Sequence, residues 1–157
     1  MSATRPVADE SEGLGEVLLE LAPRLARLEN TVLGGVAPSL STRQYRTLQR
    51  VAQGHTTMTA LGRLATVSLP AVSEQVEGLV RRGLLDRATD PEDRRAVRLG
   101  LTARGRRVLR EADRALAVLQ AELVDGLTLQ RQDDLANALR HVDDYVQTCL
   151  RRERPAG

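Results

Sequence analysis

Residues 90–102 read Asp90-Pro91-Glu92-Asp93-Arg94-Arg95-Ala96-Val97-Arg98-Leu99-Gly100-Leu101-Thr102, and the hydrophobic period changes within them. Val97, Leu99 and Leu101 alternate with Arg98 and Gly100, which is the two-residue period of a half-buried strand. The polar run from Thr89 to Arg95 places Pro91 at a turn position. Just upstream, Leu84 and Leu85 open a second strand. Together these residues predict a hairpin with a charged tip.

Thr102 is a helix cap, and the helix it starts is expected to reach about Val124. Val108, Ala112, Leu116, Leu119 and Leu123 mark its apolar face, and Gly126 ends it. Thr128 starts a last helix carrying Leu135, Leu139, Val142, Val146 and Leu150. On the other side of the hairpin, Ser68 caps a helix with Pro70 in its first turn. Its inward residues are Val72, Val76 and Leu79 or Val80, and Gly83 stops it after Arg82.

Further upstream, Thr57 is the N-cap of a short helix with Leu61, Leu64 and Ala65 inward. Ser41 followed by Gln44 is a capping box. It predicts a helix to about Gln53 that buries Tyr45, Leu48 and Val51 or Ala52, with Gly54 as its stop. Leu14, Leu18, Leu21, Leu25 and Leu28 recur at spacings of four and three, one face of a helix that Pro23 should kink or break.

The expected fold class is mainly α with a small β-hairpin wing (α+β). Residues 1–12 form a flexible tail, 13–37 a dimerisation helix and 40–102 a winged helix-turn-helix with its wing at 88–97. Residues 103–150 form further dimerisation helices and 151–157 a tail.

The formal net charge of +2 conceals a separation. Residues 81–110 hold ten Arg against Asp86, Asp90, Glu92 and Asp93, whereas residues 121–144 hold six acids and two Arg. A local basic stretch is the electrostatic footprint of phosphate binding, although a solvated charged face has the same composition. Tyr45 and Tyr145 are the only aromatic residues. Single-strand and loop binders stack bases on aromatic platforms, so the nucleic acid to consider is duplex DNA.

The order helix, short helix, turn, helix, charged hairpin is that of a winged helix-turn-helix. A major groove about 12 Å wide admits one helix, and the preceding short helix sets its angle. Arg on a flanking hairpin suits the negative potential of the minor groove. The reader is expected to span Leu69 to Arg82. Ser68, Pro70, Ala71, Ser73, Glu74 and Gln75 turn away from its core face. Gln75 could pair with an adenine edge and Glu74 with a cytosine amino group. The bland alternative is that all six simply face solvent.

The stretch 90–102 resembles the wing signature of the MarR family, Asp-Pro-x-Asp-x-Arg followed by a strand ending Leu-Thr and then a helix. Val72-Ser73, Leu79 and Arg82-Gly83-Leu84 resemble that family's reader helix, and residues 41–54 its second helix. The resemblance implies a ligand-responsive transcriptional repressor that binds an inverted-repeat operator in double-stranded DNA as a homodimer. It implies minor-groove insertion for Arg95, support of the wing by Asp93, and phosphate contacts from Arg94 and Arg98. Asp90 and Asp93 can also act simply as turn caps. Two features depart from the family pattern: Thr66 stands where glycine is usual at the turn before the reader, and Pro23 interrupts the first helix.

By the same analogy, a small aromatic or anionic effector would enter a cleft lined by the first, second and fifth helices. Tyr45, Arg46 and His55 are its candidate polar contacts, with core packing for Tyr45 and a loop position for His55 as the alternatives. Terminal helices beyond the reader module carry apolar stripes that a second copy would cover.

Cys149, the single cysteine, sits among Val142, Val146 and Leu150 and is expected to be a buried, inert thiol. One thiol and two His cannot build a zinc set, so no metal or cofactor is expected. His141 and Cys149 are eight residues apart, roughly 12 Å along one helix. They cannot form a dyad there, and no phosphate-cradling loop or nucleophile elbow is present. An enzyme is not expected. The N-terminus carries no apolar leader and no run is long enough to span a membrane, so the expected location is cytoplasmic. The competing readings are a low-specificity architectural DNA-binding protein, which would share the Arg patch, and a helical protein-interaction module.

Overall fold

The computed structural model describes residues 8–65, 68–89 and 97–152, with side chains from Gly13 onward. Six helices and two strands lie among them: α1 Ala8–Gly34, α2 Thr42–Ala52, α3 Met58–Leu64, α4 Leu69–Arg81, β1 Leu85–Thr89, β2 Val97–Leu101, α5 Ala103–Val124 and α6 Leu129–Arg152. This is the expected mainly helical fold with one hairpin. Residues 1–118 and 119–157 form two compact units.

The local signals fold as their chemistry dictates. At α2 both arms of the capping box close: Gln44 N–H donates to Ser41 Oγ at 3.2 Å and Ser41 N–H donates to Gln44 Oε1 at 3.1 Å. Thr57 Oγ1 accepts from Ala60 N–H at 3.1 Å, and Thr102 Oγ1 accepts from Gly105 N–H at 2.9 Å. The three glycines read as helix stops, Gly54, Gly83 and Gly126, all have positive φ. At α4 the stop is a Schellman motif, with Gly83 N–H on Val80 O and Leu84 N–H on Leu79 O.

Three expectations are corrected. Pro23 does not break α1, which runs unbroken from Ala8 to Gly34. Pro23 and Leu19 are both exposed, so the carbonyl that Pro23 leaves unpaired faces water rather than core. The helix also starts within the expected tail, where the stretch from Ala8 to Glu12 has neither proline nor glycine to stop it. Leu64 is 41% exposed, while Leu61 and Ala65 are buried. Neighbouring helix positions diverge by about 100°, and a seven-residue helix has one narrow inward face. On α2, likewise, Val51 is buried and Ala52 exposed.

The core of the first unit is aliphatic apart from Tyr45 and Thr47. Leu33, Leu48, Leu61, Val76, Leu79, Leu84, Leu85 and Val108 are all but inaccessible. β1 and β2 pair antiparallel from Leu85↔Leu101 to Thr89↔Val97. Leu99 N–H also donates to Thr56 O at 2.7 Å, tying the hairpin to the loop between α2 and α3. Leu99 is the buried residue of β2, and Val97 is exposed. The start of α5 lies against the entry to β1. A Cβ on Gly105 would stand 1.9 Å from Leu84 O. Thr102 Oγ1 donates to Gly83 O at 2.7 Å beside it.

In the second unit, no residue of α6 is buried. Cys149 is therefore half-exposed rather than buried.

Candidate nucleic-acid interface

α4 is the element expected to read a groove. Val72, Val76 and Leu79 bury one face against the core, which fixes which residues turn outward. Ser68, Pro70 and Glu74 are exposed, and Ala71 and Ser73 are half-exposed. Ser68 occupies the N-cap position, but its hydroxyl makes no cap hydrogen bond. The expected capping role is thereby corrected, and the hydroxyl stays open at the helix tip. Ser73 Oγ lies 3.5 Å from Glu77 Oε1, a long contact along the helix surface. Leu69, also exposed, reaches back toward α3, and a Cβ on Gly62 would meet its Cδ1 at 3.0 Å. The missing side chain at Gly62 lets the two helices approach.

Gln75 departs from the expectation. Its Nε2 donates to Arg43 O at 2.7 Å and to Thr47 Oγ1, both on α2. Pairing with an adenine edge would need that same amide N–H. Gln75 therefore fastens α4 to α2. Nothing in the sequence distinguishes it from its neighbours except that Val72, Gln75, Val76 and Leu79 share one helix face. The far end of α4 is fastened too: Arg82 donates to Gln44 Oε1 at 2.9 Å and to Ser39 O. Gln44 thus serves the cap of α2 and the seat of α4 together, a role that the capping-box spacing alone did not reveal.

The hairpin starts beside the end of α4, and Arg87 on β1 and Arg98 on β2 are exposed. Asp93, Arg94 and Arg95 lie outside the described residues, as do Asp90 and Thr66. Arg98 alone of the four wing residues is placed.

The residues read as effector contacts are each engaged within the fold. Tyr45 is 5% exposed; it donates to Asp113 Oδ1 at 2.8 Å and accepts from Gln49 Nε2 at 2.6 Å. Burial first, and then the Asp113 bond, push its phenol up to about 12. It locks α2 to α5. Arg46 pairs with Glu29 at 3.0 Å and stands 5.6 Å from the centroid of the Tyr45 ring. His55 is half-buried at the end of α2, where its N–H closes the Schellman bond to Arg50 O.

Residues 39–96 match the model of the MarR family. Over this stretch the chain is similar to the MarR family. The fold likeness reaches beyond the module. The chain is 24% identical to a mutant of Escherichia coli MarR complexed with operator DNA, over 88% of this chain and 99% of that one, with a TM-score of 0.69. It is 20% identical to Streptococcus pneumoniae FabT in complex with DNA, over 88% and 99%, at 0.78. It is 28% identical to a probable transcriptional regulator from Pseudomonas aeruginosa, over 82% and 95%, at 0.66. The likeness in fold thus takes in the terminal helices as well as α2 to α4. Among the described residues, no helix is long and apolar enough to cross a membrane.

Proposed function

We propose that this chain, a DNA-binding transcriptional regulator of the MarR family, acts as a ligand-responsive repressor that recognises an inverted-repeat operator as a homodimer. One observation carries the reading. α4 is pinned at its centre by Gln75 and at its end by Arg82, while Ser68, Pro70, Ala71, Ser73 and Glu74 stay outward at its free tip. A helix held at both points with a polar tip is what entry into a major groove needs. The operator DNA in the Escherichia coli MarR complex and the DNA bound to FabT support the same partner.

In this reading Arg95 enters the minor groove, Asp93 holds the wing, and Arg94 and Arg98 meet phosphates. Apolar stripes support the dimer. Leu14, Leu21 and Leu28 of α1 are exposed, as are Leu135, Leu139, Val146 and Leu150 of α6. A second copy covers such stripes by twofold symmetry, which presents two readers to one face of a duplex. Regulation by a small ligand and a place in the cytoplasm complete the proposal.

The test is Arg95→Ala in a gel-shift assay at fixed salt. The variant should keep the wild-type circular dichroism spectrum and lose at least tenfold in affinity for the operator. Wild-type affinity would refute the wing's role. Binding that declines equally on operator and random DNA would favour a low-specificity architectural protein.

A further inference from the structure

α2 is bonded on both sides. Thr42, Tyr45, Arg46 and Gln49 recur at i, i+3, i+4 and i+7, a single helix face. Thr42 Oγ1 donates to Asn30 Oδ1 of α1 at 3.0 Å, and Arg46 pairs with Glu29 of α1 at 3.0 Å. On the same face, Tyr45 donates to Asp113 Oδ1 of α5 at 2.8 Å, and Gln49 donates to the Tyr45 hydroxyl. The other flank of α2 holds α4: Gln75 donates to Arg43 O and Thr47 Oγ1, and Arg82 donates to Gln44 Oε1. α2 therefore stands between α4 and two helices, α1 and α5, that lie outside the reader and hairpin.

α5 also meets the module at its foot, where Gly105 stands against Leu84 and Thr102 donates to Gly83 O. Asp113 lies eight residues beyond Gly105, about 12 Å along the helix axis. The foot alone is a pivot; the foot and Asp113 together fix an angle. Asp113 is exposed and forms no ion pair among the described residues, although Arg110 and Arg114 flank it in sequence. Water would solvate that carboxylate as well, so the bond serves the buried phenol of Tyr45. The angle matters because a helix of thirteen residues is about 20 Å long. A swing of about 10° at its seat moves its tip by about 3.4 Å, one base step along a strand.

We propose that Asp113, supported by Glu29 and Asn30, is a positioning residue that sets the half-site spacing this protein accepts. It acts through Tyr45 and α2, and it touches no DNA. In the homodimer proposed above, α1 and α5 belong to the helices that join the copies, so the inference rests on that reading. Rigid helices joined by hydrogen bonds pass the angle of the joined helices to the two reader tips. Without the Asp113 bond α4 stays seated, but the separation of the two readers varies.

Two measurements on the full chain test this. With Glu77→Cys on the exposed side of α4 and Cys149→Ser removing the native thiol, nitroxide labels report the distance between the readers without DNA. One narrow distance is expected in this background. It should broaden in Asp113→Ala and in Tyr45→Phe, which removes the same bond from its other end. Asp113→Asn keeps an acceptor for the phenol and should stay narrow. Circular dichroism and sedimentation show which variants are folded and dimeric. In the second measurement, half-sites selected from a random duplex library are paired as inverted repeats with centres about 9 to 12 base pairs apart. One base pair added or removed should cost the wild-type chain about tenfold or more in affinity, and Asp113→Ala about threefold or less.

An unchanged narrow distance in Asp113→Ala and Tyr45→Phe would overturn the proposal. So would an equal loss of affinity at every spacing, the mark of a merely destabilised fold, or an Asp113→Asn chain that behaves as Asp113→Ala. A wild-type chain that sediments as a monomer would refute the dimer reading itself, and this inference with it. A dimer whose labels respond as expected but which binds no duplex would refute the DNA reading and the spacing claim together.

Discussion

Gln75 on α4 donates its side-chain amide to the main-chain carbonyl of Arg43 on α2, 2.7 Å away, and so joins the reader helix to the helix behind it. A side chain held this way helps to set the angle between the two helices. Gln75→Met keeps the bulk and removes the donor, costing about 1 to 2 kcal/mol of folding stability. Its operator affinity should fall by a similar factor on every site in a panel of single-base substitutions. Relaxed discrimination at one adenine position alone would return Gln75 to the base-reading set.

Gly105 and Leu84 make a second contact of this kind. The first turn of α5 passes so near the Leu84 carbonyl that a Cβ would overlap it. The obstacle is backbone, so no side chain can swing aside. Gly105→Ala should destabilise the protein by about 2 to 3 kcal/mol, read as a lower urea midpoint at unchanged slope. A change under about 0.5 kcal/mol would mean that α5 and the hairpin are not seated together as described.

Tyr45 gives a pH signature. Its phenol is pushed from 10.0 up to about 12 in the folded chain, so the neutral form is the one the fold favours. The resulting stability is fully present below about pH 10 and is lost as pH rises through about 12. The loss in wild type, discounted for solvent screening at the hydroxyl, should be on the order of 1 kcal/mol. Tyr45→Phe should cost about 1 kcal/mol at neutral pH and lack this alkaline decline. Exposed Tyr145 is common to both proteins and cancels in the comparison. Parallel alkaline profiles would show that Tyr45 ionises as freely as an exposed phenol.

The apolar stripe of α6 carries the dimer proposal. Leu135 and Leu139 are 43% and 44% exposed within the chain. Leu135→Glu together with Leu139→Glu should convert a dimer to a monomer in sedimentation velocity and lower operator affinity in step. Cys149→Ser should remain dimeric with unchanged DNA binding. A double variant that sediments as wild type would place the interface elsewhere.

Sequence reading served best where local chemistry decides the outcome. Ser41 with Gln44, Thr57, Thr102 and the positive-φ glycines at 54, 83 and 126 marked real helix ends, because caps and stops depend on neighbours in the chain. The Val72, Val76 and Leu79 face was legible from its period. What depended on distant partners was hidden. The anchoring of Gln75, the double duty of Gln44 and the closeness of Gly105 to Leu84 all join residues far apart in sequence. Pro23 misled because its cost depends on whether the orphaned carbonyl meets water, which exposure decides. Cys149 misled because an apolar stripe was taken as evidence of burial within the chain.

In the proposed complex, two copies present α4 and the hairpin to the same duplex. Selection of bound sites from a random duplex library, at fixed salt, tests it most directly. Expected are enrichment of one inverted repeat with half-site centres about 10 to 10.5 base pairs apart, two chains bound per duplex, and affinity at least about 10³-fold above random DNA. A library that emerges unenriched, or a site without twofold symmetry bound by a single chain, would contradict it.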